Sequence, residues 1–195
     1  FELVPGGAQV TYRATTDAPT VLNLTTHPYV NLEGEGAGDT DHHVLVVHAS
    51  AWTPTGPDGV PTGEVRPVAG SAADFRAGRA FGAARVLAEA ERITRNEGFD
   101  HNFVVDGAGL REHCRVSAGG ITLVVESDQP ALQVYGGEHF DDSYVGTSGC
   151  RYVRRAGIAL ETQHFPDSPH HPNFPDTTLR PGEEFVSTTR WLVEA

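Results

Sequence analysis

A side-chain period of two, recurring in short stretches that Gly and Pro interrupt, constrains this chain more than any other feature. Residues 9–14 alternate apolar and polar, the pattern of a half-buried strand. Residues 44–47 form a β-branched run long enough for a buried strand and too short for a helix. Residues 121–125, 132–135, 158–162 and 185–193 read the same way. Turn chemistry separates these runs at Pro57-Asp58-Gly59, Gly119-Gly120, Gly136-Gly137 and Arg180-Pro181-Gly182-Glu183. One stretch differs: 83–95 is rich in Ala, Arg and Glu and places Val86, Leu87, Ala90 and Ile93 on one helical face, which predicts a short helix. Many short strands with Gly/Pro turns point to an all-β sandwich or barrel rather than a βαβ fold. No repeat or linker divides the 195 residues, so a single domain is expected.

Charge and cysteine content narrow the function. A net charge of −12 argues against a nucleic-acid or anionic-membrane partner. No apolar run approaches the roughly 18 residues of a membrane span. Two cysteines, Cys114 and Cys150, make no disulfide framework and fit a reducing, cytoplasmic setting. All 14 basic residues are arginine, and the chain starts at Phe1 without methionine.

Polar residues of catalytic type gather in four places: 23–32 around His27, 98–103 around Asp100, 133–138 from Gln133 to Glu138, and 160–175 after Glu161. In the fourth, a strand-like run ends near Glu161 and a loop rich in His and Pro follows. That loop reads either as a site or as a rigid surface loop. His164, Asp167, His170 and His171, and separately His42, His43 and His48, are of metal-ligand type. Neither group has a metal-motif spacing, so surface or hydrogen-bonded histidines are the favoured reading and no metal is expected. There is no nucleophile elbow and no phosphate or dinucleotide loop. Acid–base chemistry remains. Glu161, internal to a strand, is placed for partial desolvation, which would make it a better base near neutrality. His27 is a proton donor or acceptor. Asp100, Asn102 and Gln133 are of the types that read sugar hydroxyls. Trp52, Tyr29, Tyr135 and Phe165 could stack on a sugar, though such aromatics are more often core.

These segments resemble the aldose 1-epimerase (galactose mutarotase) family. Glu161-Thr162-Gln163-His164-Phe165-Pro166-Asp167-Ser168-Pro169, with His171-Pro172-Asn173-Phe174-Pro175, is similar to the family's C-terminal signature. Asn23-Leu24-Thr25, His27, Tyr29, Asn31 and Leu32 resemble its His-bearing segment. Pro61-Thr62-Gly63-Glu64, Asp74-Phe75-Arg76, Asp100-His101-Asn102-Phe103 and Gln133-Val134-Tyr135 follow in the family's order. The resemblance implies an antiparallel β-supersandwich with a sugar cleft and cofactor-free interconversion of the α and β anomers of free aldoses. It implies Glu161 as general base, His27 as general acid, and Asp100 and Gln133 as sugar-binding residues. It further implies that residues 1–195 are the C-terminal portion of one larger domain, whose N-terminal part would bring an Arg and a second His to the sugar. Thr26, Pro28 and Val30 depart from the family's Asn, Ser and Phe, and Glu138 stands where an Asn is more usual. Competing expectations are a non-catalytic sugar-binding module, a hexose-phosphate epimerase and a metal-dependent hydrolase.

Overall fold

In the computed structural model, residues 1–90 and 98–195 are described. Among the described residues, fifteen strands and one α-helix follow in chain order, with a short 3-10 turn at Ser168–His170: β1 (Glu2–Val4), β2 (Gly7–Ala14), β3 (Thr20–Val21), β4 (Tyr29–Val30), β5 (Val44–Val47), β6 (Ala49–Thr53), β7 (Arg66–Pro67), β8 (Arg79–Ala80), α1 (Phe81–Ala90), β9 (Asp100–Val105), β10 (Arg111–Ala118), β11 (Ile121–Ser127), β12 (Ala131–Tyr135), β13 (Ile158–Gln163), β14 (Thr178–Leu179) and β15 (Phe185–Glu194). They form a seven-stranded sheet in the order β1-β2-β15-β11-β10-β5-β8. A six-stranded sheet runs β4-β13-β12-β9-β6-β7, and β14 pairs with β3. All pairings are antiparallel. The fold is an all-β sandwich.

Both sheets turn their apolar residues toward one core. Leu45, Val47, Cys114, Val116, Leu123 and Val125 come from the seven-stranded sheet. Trp52, Phe103, Val105, Leu132, Val134, Ile158 and Leu160 come from the six-stranded one. Period-two alternation then sends the intervening residues of β9, β12 and β13 to the opposite face. The β10–β11 hairpin closes on Gly119 and Gly120, both at positive φ (59° and 82°), as a two-residue loop of that hand requires.

The helix covers 81–90, and residues 91–97, including Ile93, lie outside the described residues. Its buried stripe is not the expected one. Phe81, Ala84 and Ala88 pack into the core, while Val86 and Leu87 are exposed. The core contact is set by Phe81, two residues before the stretch that the sequence singled out, and by small alanines that allow close approach. Arg85 fastens the helix through Asp41 (3.1 Å) and Glu89 (2.7 Å).

A buried imidazole in this frame makes stability pH-dependent. His113 on β10 is fully buried, with Nε2 3.0 Å from the Ser127 carbonyl. Desolvation, reinforced by Arg111, pushes its pKa down to about 3. The unfolded chain binds this proton below its ordinary value near 6.5, while the folded chain refuses it until about pH 3. Stability therefore falls as pH drops through that window. Denaturant midpoints should show a loss of about 2 kcal/mol between pH 7 and pH 5 from this group. His113→Gln should flatten the slope by that amount, and an unchanged slope would refute the assignment.

Candidate active site

Register across the six-stranded sheet builds the site. Thr53 pairs with Asn102, Asn102 with Gln133, and Gln133 with Glu161. These four side chains thus form one row across β6, β9, β12 and β13, on the face away from the core. Two residues along, Asp100 pairs with Tyr135, Tyr135 with Ala159, and Ala159 with Tyr29, which makes a second row. His27 continues the Tyr29 side of β4 by two residues. Pro28 has no N–H to offer, and pairing of this segment with β13 is confined to Tyr29 and Val30.

The rows interlock. His27 Nε2 lies 3.3 Å from Glu161 Oε1. Gln133 Nε2 donates to Asp100 Oδ1 at 2.7 Å, and Asn102 Nδ2 donates to Thr53 Oγ1 at 3.2 Å. Gln133 Oε1 and Asn102 Oδ1 are buried without a hydrogen-bond partner among the described residues. Such acceptors are costly unless a ligand satisfies them. Rings of Tyr29 and Tyr135 flank His27, with centroids 4.8 and 6.3 Å away. Tyr135 Oη lies 2.7 Å from His139 Nδ1.

Electrostatics separate the acids. Burial raises the Glu161 pKa above the ordinary carboxylate value; His27 opposes the rise and Asp100 adds to it. Burial first, then Tyr135, Glu161 and Asp100, push the Tyr29 phenol up to about 12, so it stays a neutral hydroxyl. A hollow of about 60 Å³ lies over Thr53, Asn102, Gln133 and Asp100. Asp100 also borders a cleft of about 690 Å³ with Asp58, Tyr135, Glu138, His139 and Arg154. Glu161 and His27 are not on the walls of that larger cleft.

With this geometry in hand, comparison with known proteins is decisive. The family model described as aldose 1-epimerase matches residues 1–191. The chain belongs to the aldose 1-epimerase family. Galactose mutarotase of Homo sapiens is 38% identical over 192 residues, 97% of this chain and 54% of its own length. Aldose 1-epimerase of Escherichia coli K12 is 36% identical over 192 residues, 93% of this chain and 53% of its own. The chain spans about half the length of the curated relatives it matches. Among solved structures, an aldose epimerase homologue from C. elegans superposes with TM-score 0.85 at 25% identity, over 97% of this chain and 56% of that one. Galactose 1-epimerase from Lactobacillus acidophilus gives 0.80 at 30% identity, over 97% and 53%.

All four residues that the epimerase resemblance singled out, Glu161, His27, Asp100 and Gln133, fall together in this constellation. Asn102 joins them, as do Tyr29 and Tyr135. Trp52 and Phe165 do not: both are buried, Trp52 in the main core and Phe165 against Phe174. The His-rich loop is a clasp. His164 Nδ1 meets Gln129 Oε1 at 2.9 Å, and its backbone is bracketed by Asn23. His171 Nε2 bonds the Pro61 carbonyl and Asn173 bonds that of Gly63, while Asp167 holds His170 and His171. Among the described residues, no group of three or more His, Cys, Asp or Glu is arranged to hold a metal. No described helix is long and apolar enough to cross a membrane. His139 and Arg154 also line the cleft, and nothing local in the sequence marks residues 139–157 as a wall of the site.

Proposed function

We propose that the protein interconverts the α and β anomers of free hexoses such as galactose and glucose by acid–base ring opening and reclosure. The observation that carries this reading is the Glu161–His27 pair at 3.3 Å beside a row of hydroxyl-reading side chains. In a pyranose, the anomeric hydroxyl and the ring oxygen share one carbon, so a base for the first and an acid for the second must be neighbours. Glu161 takes the proton of the anomeric hydroxyl. As the C1=O bond forms, the bond from C1 to the ring oxygen breaks, and His27 gives that oxygen a proton. The open aldehyde rotates about C1–C2. Reclosure reverses both transfers and restores each group to its starting state. Glu161's raised pKa suits a base working near neutrality. Asp100 and Gln133, already bonded to each other, hold sugar hydroxyls and fix the ring against the pair.

The names of the relatives support galactose and related aldoses as substrates. A hexose phosphate fits less well, because Arg154 on the larger cleft stands among Asp58, Asp100 and Glu138. As to domain organisation, we read the two sheets as one domain, a reading supported by their shared core. The full-length protein is expected to accelerate the polarimetric decay of freshly dissolved α-D-galactose in proportion to enzyme concentration. Saturable galactose binding without acceleration would instead support a non-catalytic sugar-binding module.

A further inference from the structure

We propose that Glu138 is a substrate-binding, specificity-determining residue. On this proposal, its carboxyl group accepts hydrogen bonds from hexose hydroxyls in the larger cleft beside Asp100, and it disfavours sugars that carry an anionic group there. The inference rests on the proposed function and deepens it.

The seat of this side chain is built for a carboxyl group. A Cβ on Gly98 would fall 1.7 Å from Glu138 Oε1, and one on Gly136 would fall 2.3 Å from it. Two side-chain-free positions, one leading into β9 and one leaving β12, therefore make room for the group. Glu138 is only 8% exposed, and its Oε1 has no hydrogen-bond partner among the described residues. A residue kept only to fill this gap would be served better by an apolar side chain, since a buried carboxyl with one oxygen left unpartnered costs stability. Nevertheless Glu138 lines the 690 Å³ cleft, whose wall it shares with Asp100 of the Gln133–Asp100 pair. Buried polar groups on a cleft wall are candidates for ligand contact.

Its surroundings define what it would recognise. Asp100 faces the cleft from β9, Tyr135 from β12 and Asp58 from the loop after β6, while His101, its ring packed on Trp52 and Phe99, borders it. His139 and Arg154 come from the 136–157 segment, and Arg155 also acts on Glu138 through charge. Burial pushes Glu138 up to about 7; Arg154 and Arg155 oppose the rise and Asp100 adds to it. Three carboxyl groups against the Arg154 guanidinium favour neutral polyols, whose hydroxyls donate, over carboxylate- or phosphate-bearing sugars. Because Glu138 titrates near neutrality, discrimination against an anion should strengthen as pH rises from 6 to 8.

The test uses the full-length protein, with galactose as substrate and galacturonate as competing anion. For the wild type, galacturonate should inhibit several-fold more weakly at pH 8 than at pH 6. Glu138→Gln should raise the galactose KM by roughly tenfold with a smaller change in kcat. It should also flatten the pH dependence of galacturonate inhibition, which a purely structural role would not do. Glu138→Ala should raise KM at least as much. A mutarotase whose KM and galacturonate discrimination are unmoved by either substitution overturns the Glu138 assignment and leaves the proposed function standing. If the wild type binds galactose without turning it over, the same comparisons made on Kd by calorimetry decide Glu138 separately. A protein that neither binds nor converts galactose overturns both.

Discussion

Glu161→Gln in the full-length protein is expected to lower the catalysed rate of galactose mutarotation by about two to four orders of magnitude, the range for loss of a positioned general base. Glutamine keeps the shape of the side chain and its place in β13, opposite Gln133, but it cannot take a proton at working pH. Glu161 is almost fully buried, and burial already disfavours its charged form. The neutral amide therefore relieves a desolvation cost, and the thermal midpoint should hold or rise. A large loss of rate with undiminished stability separates a chemical role from a structural one. Polarimetry and a thermal melt on the same preparation check this, and activity within threefold of wild type would sink the role of Glu161.

The second large effect concerns its neighbour. His27→Gln should cost about two to three orders of magnitude in rate, because the ring oxygen would leave without a positioned acid. It should also move the acid limb of the kcat/KM profile of the residual activity. His27 holds the Glu161 pKa down against burial and Asp100. Without it, Glu161 protonates at higher pH, so residual activity should begin to fall at a higher pH than in the wild type. Asp100→Asn removes a term of the opposite sign and should shift that limb to lower pH. Measuring kcat/KM from pH 4 to pH 8 for the three proteins gives the order. A His27 variant whose acid limb moves down would contradict the coupling read from the 3.3 Å contact.

Sequence periodicity reveals the strands whose two faces differ cleanly. The run at 44–47 coincides with β5, and those at 121–125, 132–135, 158–162 and 185–193 lie within β11, β12, β13 and β15. β10 carries no such signal, because Arg111, Glu112 and Arg115 crowd it with charge and a register shift between Glu112 and Cys114 breaks the alternation. β9 was visible only as a cluster of catalytic residue types. It is a strand because His101, Phe103 and Val105 face the core while Asp100 and Asn102 face away. The helix is legible in the sequence but its buried side is not, since alanines at 84 and 88 weigh less in a pattern than Val86 and Leu87. For the site, residue types suggested acid–base chemistry, yet no local pattern joins position 27 to position 161. The β4–β13 pairing brings them together in space. Glu138 departs from the family's usual Asn, but its setting depends on Gly98 and Gly136, which meet only in three dimensions.

The row Thr53–Asn102–Gln133–Glu161 has a consequence for how such a chain can change length. Each member reaches the face away from the core by parity alone, because its neighbours within the strand point to the core. Deleting or inserting one residue within β9, β12 or β13 would turn hydrophobic side chains outward and swing Asp100, Gln133 or Glu161 inward. Length variation that preserves the site is therefore confined to the connecting loops, or arrives inside a strand with a bulge that restores the count. A scan of single-codon deletions should show intolerance along these three strands, broken abruptly in the 106–110 turn that follows β9.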